Sequence, residues 1–233
     1  MVQAQFTVKV GGINHDELDK YVMINRQSVK RHFSQSAQTY NAAAVMQKEV
    51  AERLAERLPL FKMTPERIID LGAGTGFLAK HIRQTYPESQ LTLVDLSWEM
   101  LQQSRQQSEL SAPSGLRKLL SFGKTSETHF VNADAYQLPF ADQSVDMLVS
   151  SLMLQWCDDL DKVLAECQRV LKPEGLFYIA TLGPDTLKEI RQAWQVVDGD
   201  QEDNTAHVSP FMDMHDIGDA LSRAGFINGV LDT

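Results

Sequence analysis

From Arg67 onward, short apolar runs alternate with amphipathic stretches of helical length. Five runs have the length and patterning of strands: Arg67 to Leu71, Gln90 to Asp95 with its alternating Leu-Thr-Leu-Val, His129 to Asn132, Val145 to Ser150, and Leu176 to Leu182. Helical periodicity predicts Phe77 to Tyr86, a helix capped by Ser97 and running to about Ser108, Asp159 to Leu171, and Met214 to Ala224. Lys172-Pro-Glu-Gly175 stops the third of these as a turn. Residues 109–127 form a longer polar connection. Ahead of the first strand lie two helices, Asn25 to Ser34 and Asn41 to Arg57. The second carries the stripe Val45, Val50, Leu54 and Leu58 and is stopped by Pro59. Residues 1–24 read as a weakly patterned, poorly ordered leader.

Alternating strands and helices of these lengths predict an α/β domain, a parallel sheet with helices on both faces. Ligands of such sheets bind beyond the carboxyl ends of the strands, where strand order reverses. The residues just after each strand are therefore the informative ones. The first strand runs into Asp70-Leu-Gly-Ala-Gly-Thr-Gly76. Gly72 and Gly74 allow a tight turn and a close backbone approach to a ligand, although a plain tight turn uses the same residues. The position for the last glycine of a dinucleotide fingerprint is Phe77, which counts against nicotinamide, and no lysine follows as in a P-loop. The second strand ends in Asp95, placed to accept from ribose hydroxyls or simply to cap the next helix. The third ends in Asn132-Ala-Asp-Ala135, where Asp134 can accept from an adenine amino group or stand as a solvated acid.

Composition narrows the setting. The chain has 233 residues, 43% of them hydrophobic and 23% charged, which suits one globular domain with a short N-terminal addition. A net charge of −9 disfavours general nucleic-acid binding. Cys157 and Cys167 match neither a zinc pattern nor a disulfide framework, so a reducing cytoplasm is the natural compartment. The longest apolar stretch, Met147 to Cys157, has 11 residues where a span needs about 20. The start has no signal-peptide pattern.

The glycine loop, the strand-end Asp95, the Ala-Asp-Ala and the Leu-Lys-Pro-Glu-Gly turn together resemble class I S-adenosylmethionine (SAM)-dependent methyltransferases over Arg67 to Leu182. The resemblance implies a Rossmann-like sheet with SAM as methyl donor. It places Asp70, Gly72, Ala73 and Gly74 by the methionine part, Asp95 at the ribose, and Asp134 with Ala135 at adenine, with Leu96, Met100 and Ser151 completing the cofactor set.

Further stretches resemble the malonyl-acyl-carrier-protein O-methyltransferases of biotin synthesis. They are Phe33-Ser-Gln-Ser-Ala-Gln-Thr-Tyr40 with Gln47, Leu154-Gln-Trp-Cys157, Thr181 to Trp194, and His207 to His215. Ser151 departs from the asparagine frequent in that family. The implied acceptor is a malonyl carboxylate on acyl-carrier protein, already ionised at neutral pH. It needs a positioning donor but no general base. Arg191 and His207 are candidates for that donor, and Trp156 for a pocket wall. Tyr40 and Gln47 are candidates to close the pocket at the methionine end, with residues 25–60 as lid helices on a domain of residues 25–233. An acidic carrier needs a basic landing area, either Arg26, Lys30 and Arg31, or Arg117 and Lys118.

Other readings stay open. A related arginine-hydroxylating assembly factor of the respiratory complex shares the Gly-Pro-Asp-Thr-Leu and His-Val-Ser-Pro-Phe segments; the start here lacks its presequence. A quinone-type methyltransferase or a non-catalytic SAM-binding protein would use the same cofactor residues. Sheets of this class close with two further strands. Gly225-Phe-Ile227 opens one, and the last, normally antiparallel beside the fifth, is expected to be missing, leaving the chain less stable or less active than a longer version.

Overall fold

The computed structural model describes residues 2–7, 25–106, 127–198 and 211–232. Seven strands form one sheet: β1 (Val2–Thr7), β2 (Arg67–Leu71), β3 (Gln90–Asp95), β4 (Thr128–Asn132), β5 (Val145–Ser151), β6 (Leu171–Ala180) and β7 (Phe226–Asp232). Their spatial order is β4-β3-β2-β5-β6-β1-β7, and every pairing is parallel. The described helices are α1 (Arg26–Ser36), α2 (Tyr40–Ala43), α3 (Val45–Arg57), α4 (Phe77–Thr85), α5 (Trp98–Gln106), α6 (Leu160–Val170), α7 (Lys188–Asp198) and α8 (Met214–Arg223). No described helix is long and apolar enough to cross a membrane.

The period-two pattern of the strands builds two cores, one on each face. Ile69, Leu71, Leu148, Phe177 and Ile179 point to one side, where α6 supplies Val163, Leu164 and Cys167, and α8 supplies Ile217 and Leu221. Their sequence neighbours Ile68, Met147, Val149 and Tyr178, with Leu91 and Leu93 of β3, point to the other, under Leu78 and Ile82 of α4 and Ala51 and Leu54 of α3. Both faces are dry, so the central strands are apolar almost throughout. Burying one leucine of this kind stabilises by about 1.5–3 kcal/mol.

Several boundaries differ from the sequence pattern. The second N-terminal helix breaks at Ala44, whose ψ of 51° is not helical. Beyond the break, α3 also covers the sheet, because Ala51 and Leu54 are core residues and the Tyr178 hydroxyl donates to the Leu54 carbonyl at 3.2 Å. Strand β6 starts at Leu171, not Leu176, and ends at Ala180. Val145 pairs with Leu171 and Met147 with Leu176, so Lys172–Gly175 bulges out of the ladder, with Glu174 at φ 65°. Residues 2–7, expected within a poorly ordered leader, form a strand between β6 and β7. The place beside β6 is thus filled by a parallel N-terminal segment, not left vacant. The physical reason is the open ladder on the edge of β6, a template for any extended segment. Val-Gln-Ala-Gln-Phe-Thr alternates in the period that template accepts.

Strand order reverses beside β2, with β3 on one side and β5 on the other. The crevice beyond the carboxyl ends of β2 and β5 is where such a sheet opens a site.

Candidate functional site

A cavity occupies that crevice, lined from the ends of β2, β3, β4 and β5 and roofed by α1 and α2. Its floor is the loop after β2. Gly72 and Gly74 have φ of +72° and +54°, a region where a side chain is strained. A Cβ on Gly72 would also stand 2.4 Å from Cγ of Met153. The loop's amides are held by β3. Gly72 and Ala73 donate to the Val94 carbonyl, and Gly74 donates to Oδ2 of Asp95 at 2.8 Å. Oδ1 of Asp95 accepts from the Ser97 amide at 2.8 Å, and Ser97 caps α5 through the Met100 amide.

Asp70 is 1% exposed, and its Oδ2 has no hydrogen-bond partner. Burial pushes its pKa up to about 7, with the Asp95 charge adding to the rise and the Ala79 amide opposing it. Asp95 is also raised, first by burial, while its two backbone donors pull it down. An unpaired buried carboxylate oxygen costs about 1–3 kcal/mol. Its presence on a cavity wall marks a place for a cationic or donor group.

At the β4 end, Asp134 accepts from the Tyr136 amide at 3.0 Å and from Nη1 of Arg26 at 3.3 Å. The Arg26 guanidinium lies 4.4 Å from the centre of the Tyr136 ring. The roof is aromatic: Phe33 meets Trp156 edge-on at 5.4 Å, and Tyr40 stacks on Phe77 at 6.4 Å. Polar ties hold it down, Ser34 to Ser97 and Glu99 and Thr75 to Asn41.

The β5 end closes the site. Leu152 has φ 55°, a strained conformation for leucine that costs about 1–3 kcal/mol. Its amide donates to the Ala180 carbonyl at 2.8 Å, and the Ser150 hydroxyl donates to the Leu71 carbonyl at 2.8 Å. The short turn Leu154–Trp156 brings Gln155 to the cavity wall. There its Nε2 donates to the Leu152 carbonyl at 2.8 Å, and its Oε1 accepts from the Thr181 hydroxyl at 3.2 Å. Cys157 also lines the cavity. Burial pushes its thiol up to about 12, so it is a wall and not a nucleophile.

Of the residues singled out from sequence, Tyr40, Gln47, Asp70, Gly72, Ala73, Gly74, Asp95, Leu96, Met100, Asp134, Ala135, Ser151 and Trp156 all line this cavity. Arg191 does not. Its guanidinium donates to the carbonyls of Pro184 and Thr186, both at 3.1 Å, and so fastens the loop that precedes its own helix. His207, Arg117 and Lys118 lie outside the described residues. Arg26 belongs to the cavity, while Lys30 and Arg31 on the same helix are exposed away from it. Sequence reasoning missed Phe33, Tyr136 and Met153 as lining residues and Arg26 as the partner of Asp134. No spacing signals a contact across 108 positions.

A family profile described as a methyltransferase domain matches residues 69–179. The chain is 47% identical over 209 residues to the malonyl-[acyl-carrier protein] O-methyltransferase of Laribacter hongkongensis, covering 89% of this chain and 66% of that one. To the enzymes of that name from Methylovorus sp. and Gallionella capsiferriformans it is 45% and 43% identical, covering 90% of this chain and 67% and 68% of theirs. The chain thus spans about two thirds of the length of these relatives. Among solved structures, it resembles a chain of the complex between the Haloferax volcanii Trm112 methyltransferase activator and a methyltransferase. The TM-score is 0.60, with 23% identity over 83% of this chain and 75% of that one. It also resembles Haemonchus contortus phosphoethanolamine N-methyltransferase 2 in complex with S-adenosyl-L-methionine, with TM-score 0.56, 22% identity and coverage of 76% and 37%. These two likenesses are of fold.

Proposed function

The chain belongs to the malonyl-[acyl-carrier protein] O-methyltransferase family, and we propose that it esterifies the free carboxylate of a malonyl thioester on acyl-carrier protein with the methyl group of SAM, a step of biotin-precursor synthesis. The observation that carries the cofactor half is the buried, unpartnered Oδ2 of Asp70 on the cavity wall. SAM presents an ammonium and a sulfonium, the kind of charge this oxygen lacks. The Gly72–Gly74 backbone lies beside the methionine part, Asp95 takes the ribose hydroxyls, and Asp134 with Ala135 takes the adenine edge. Asp95 and Asp134 each keep lone pairs beyond those their backbone and Arg26 donors use.

When bound, SAM supplies an electrophilic methyl group on a positive sulfur. The protein then has to orient and to exclude water. Phe33, Tyr40 and Trp156 form an apolar roof over the reacting region, and excluding water favours a reaction in which opposite charges cancel. The carboxylate oxygen's lone pair becomes the new C–O bond, the C–S pair stays with sulfur, and no proton changes hands. No acid/base pair is required, and both thiols in the described core are buried and unpaired. Such thiols suit a reducing cytoplasm.

The test is incubation with SAM and malonyl-carrier protein, followed by intact mass of the carrier. A gain of one methyl on malonyl-carrier protein and none on acetyl-carrier protein is expected. Absence of transfer to any malonyl thioester overturns the acceptor assignment.

A further inference from the structure

A methyltransferase acting on a carboxylate must hold that carboxylate, and among the described residues lining the cavity there is no free cation to do so. Among its described lining residues, Arg26 is the only cationic side chain, and it is bound to Asp134 at 3.3 Å and laid over Tyr136. The other charged side chains among them, Asp70, Asp95 and Asp134, are acids. Arg191 is occupied by the carbonyls of Pro184 and Thr186.

Gln155 is differently placed. The Thr181 hydroxyl donates to its Oε1, which orients the amide and leaves Nε2 as the nitrogen facing the Leu152 carbonyl. An amide nitrogen carries two hydrogens, and one of them goes to Leu152. Gln155 lines the cavity. Its turn is anchored beside the cofactor loop: Met153 packs on Gly72 so closely that no Cβ fits there, and the Leu152 amide is tied to Ala180. Thr181 stands behind it, 9% exposed.

We propose that the second Nε2 hydrogen of Gln155 is the donor that holds the acceptor carboxylate, with Thr181 as its positioning residue. This rests on the malonyl reading above. A neutral donor suits the reaction better than an arginine. The acceptor begins with a full negative charge and loses it as the ester forms. A cation would stabilise the starting carboxylate more than the transition state, and only interactions that strengthen on the way to the transition state raise the rate. An amide orients the oxygen and discriminates against acceptors that lack it, with less of that penalty.

The experiment measures binding of malonyl- and acetyl-carrier protein in the presence of S-adenosylhomocysteine, which permits no turnover, and then kcat and KM with SAM. A hydrogen bond to a charged group contributes roughly 1.5–3 kcal/mol, so wild type is expected to prefer malonyl by about 10- to 150-fold. In Gln155→Ala the preference falls towards unity, while affinity for S-adenosylhomocysteine stays within about twofold. Gln155→Met fills the same space without donors and gives the same result if the alanine variant does not fold. Thr181→Val lowers the preference and Thr181→Ser restores it. Gln155→Arg lowers KM for the malonyl carrier and lowers kcat with it. Retention of the preference in both Gln155→Ala and Gln155→Met overturns the proposal. If wild type itself transfers no methyl to malonyl-carrier protein, the acceptor reading fails instead.

Discussion

Asp70→Asn is expected to flatten the pH dependence of the free protein's stability between about pH 4 and 7. The Asp70 carboxyl is 1% exposed, its Oδ2 is unpaired, and its pKa lies at about 7 against an ordinary 3.8. Between those values the folded chain keeps a proton that the unfolded chain has released. The contribution of Asp70 to stability is therefore complete below the unfolded value and is lost as pH rises through about 7. A shift of about three units at 1.36 kcal/mol each amounts to roughly 4 kcal/mol. Asparagine does not titrate, but its amide leaves a buried polar group unpaired at every pH, at about 1–3 kcal/mol. The variant should thus be the less stable protein near pH 4 and the more stable one near pH 8.

SAM binding should reverse the trend. Its positive charges favour ionised Asp70, so below pH 7 the wild-type affinity rises with pH, by at most about tenfold per unit, and a proton is released. Urea denaturation of both proteins from pH 4 to 8, with and without SAM, reads all of this. Asp95, whose pKa is also raised, acts in the same direction in both proteins, and because its charge adds to the rise of Asp70 the difference between them contains that coupling as well. Parallel stability curves for wild type and Asp70→Asn would show that Asp70 ionises normally and would refute the reasoning.

Gly72→Ala is expected to lower SAM affinity by about tenfold or more in calorimetry, since its Cβ would meet Met153 at 2.4 Å on a backbone with φ +72°. Arg191→Ala should lower the urea midpoint by the equivalent of about 1–3 kcal/mol through the carbonyls it abandons, yet leave KM for the malonyl carrier within about twofold. Arg169 ties α6 to the segment after β4 through Asp142 and the carbonyls of Leu138 and Phe140, and pairs with Glu166 on its own helix. Arg169→Ala should therefore cost about 2–3 kcal/mol in the same denaturation assay.

Strands β2 and β3 begin and end where the apolar runs do, and Ser97 caps α5 as its hydroxyl allows. The loop at Gly72 and Gly74 was legible for the same reason. Strand alternation, capping and left-handed turns are requirements of the local backbone, and the residue types that meet them stand next to one another in the chain. The strand-end acids Asp70, Asp95 and Asp134 followed, because in a parallel sheet the residue after each strand arrives at one rim.

Direction and partnership were decided only by the tertiary structure. The spacing of Arg191 on an amphipathic helix allowed a substrate grip or a solvated side chain, but not the Pro184 and Thr186 carbonyls that it meets. Arg26 looked like part of a basic landing patch until the packing of α1 set it on Asp134. Val2–Thr7 has a strand's alternation, but joining the sheet depended on the unpaired edge of β6. Gln155 is an ordinary glutamine in sequence. It becomes a candidate for the acceptor only where Thr181 orients its amide and Met153 seats its turn against Gly72. Such contacts depend on distance in space between segments far apart in the chain, and a single sequence carries no record of which of its many polar side chains will meet.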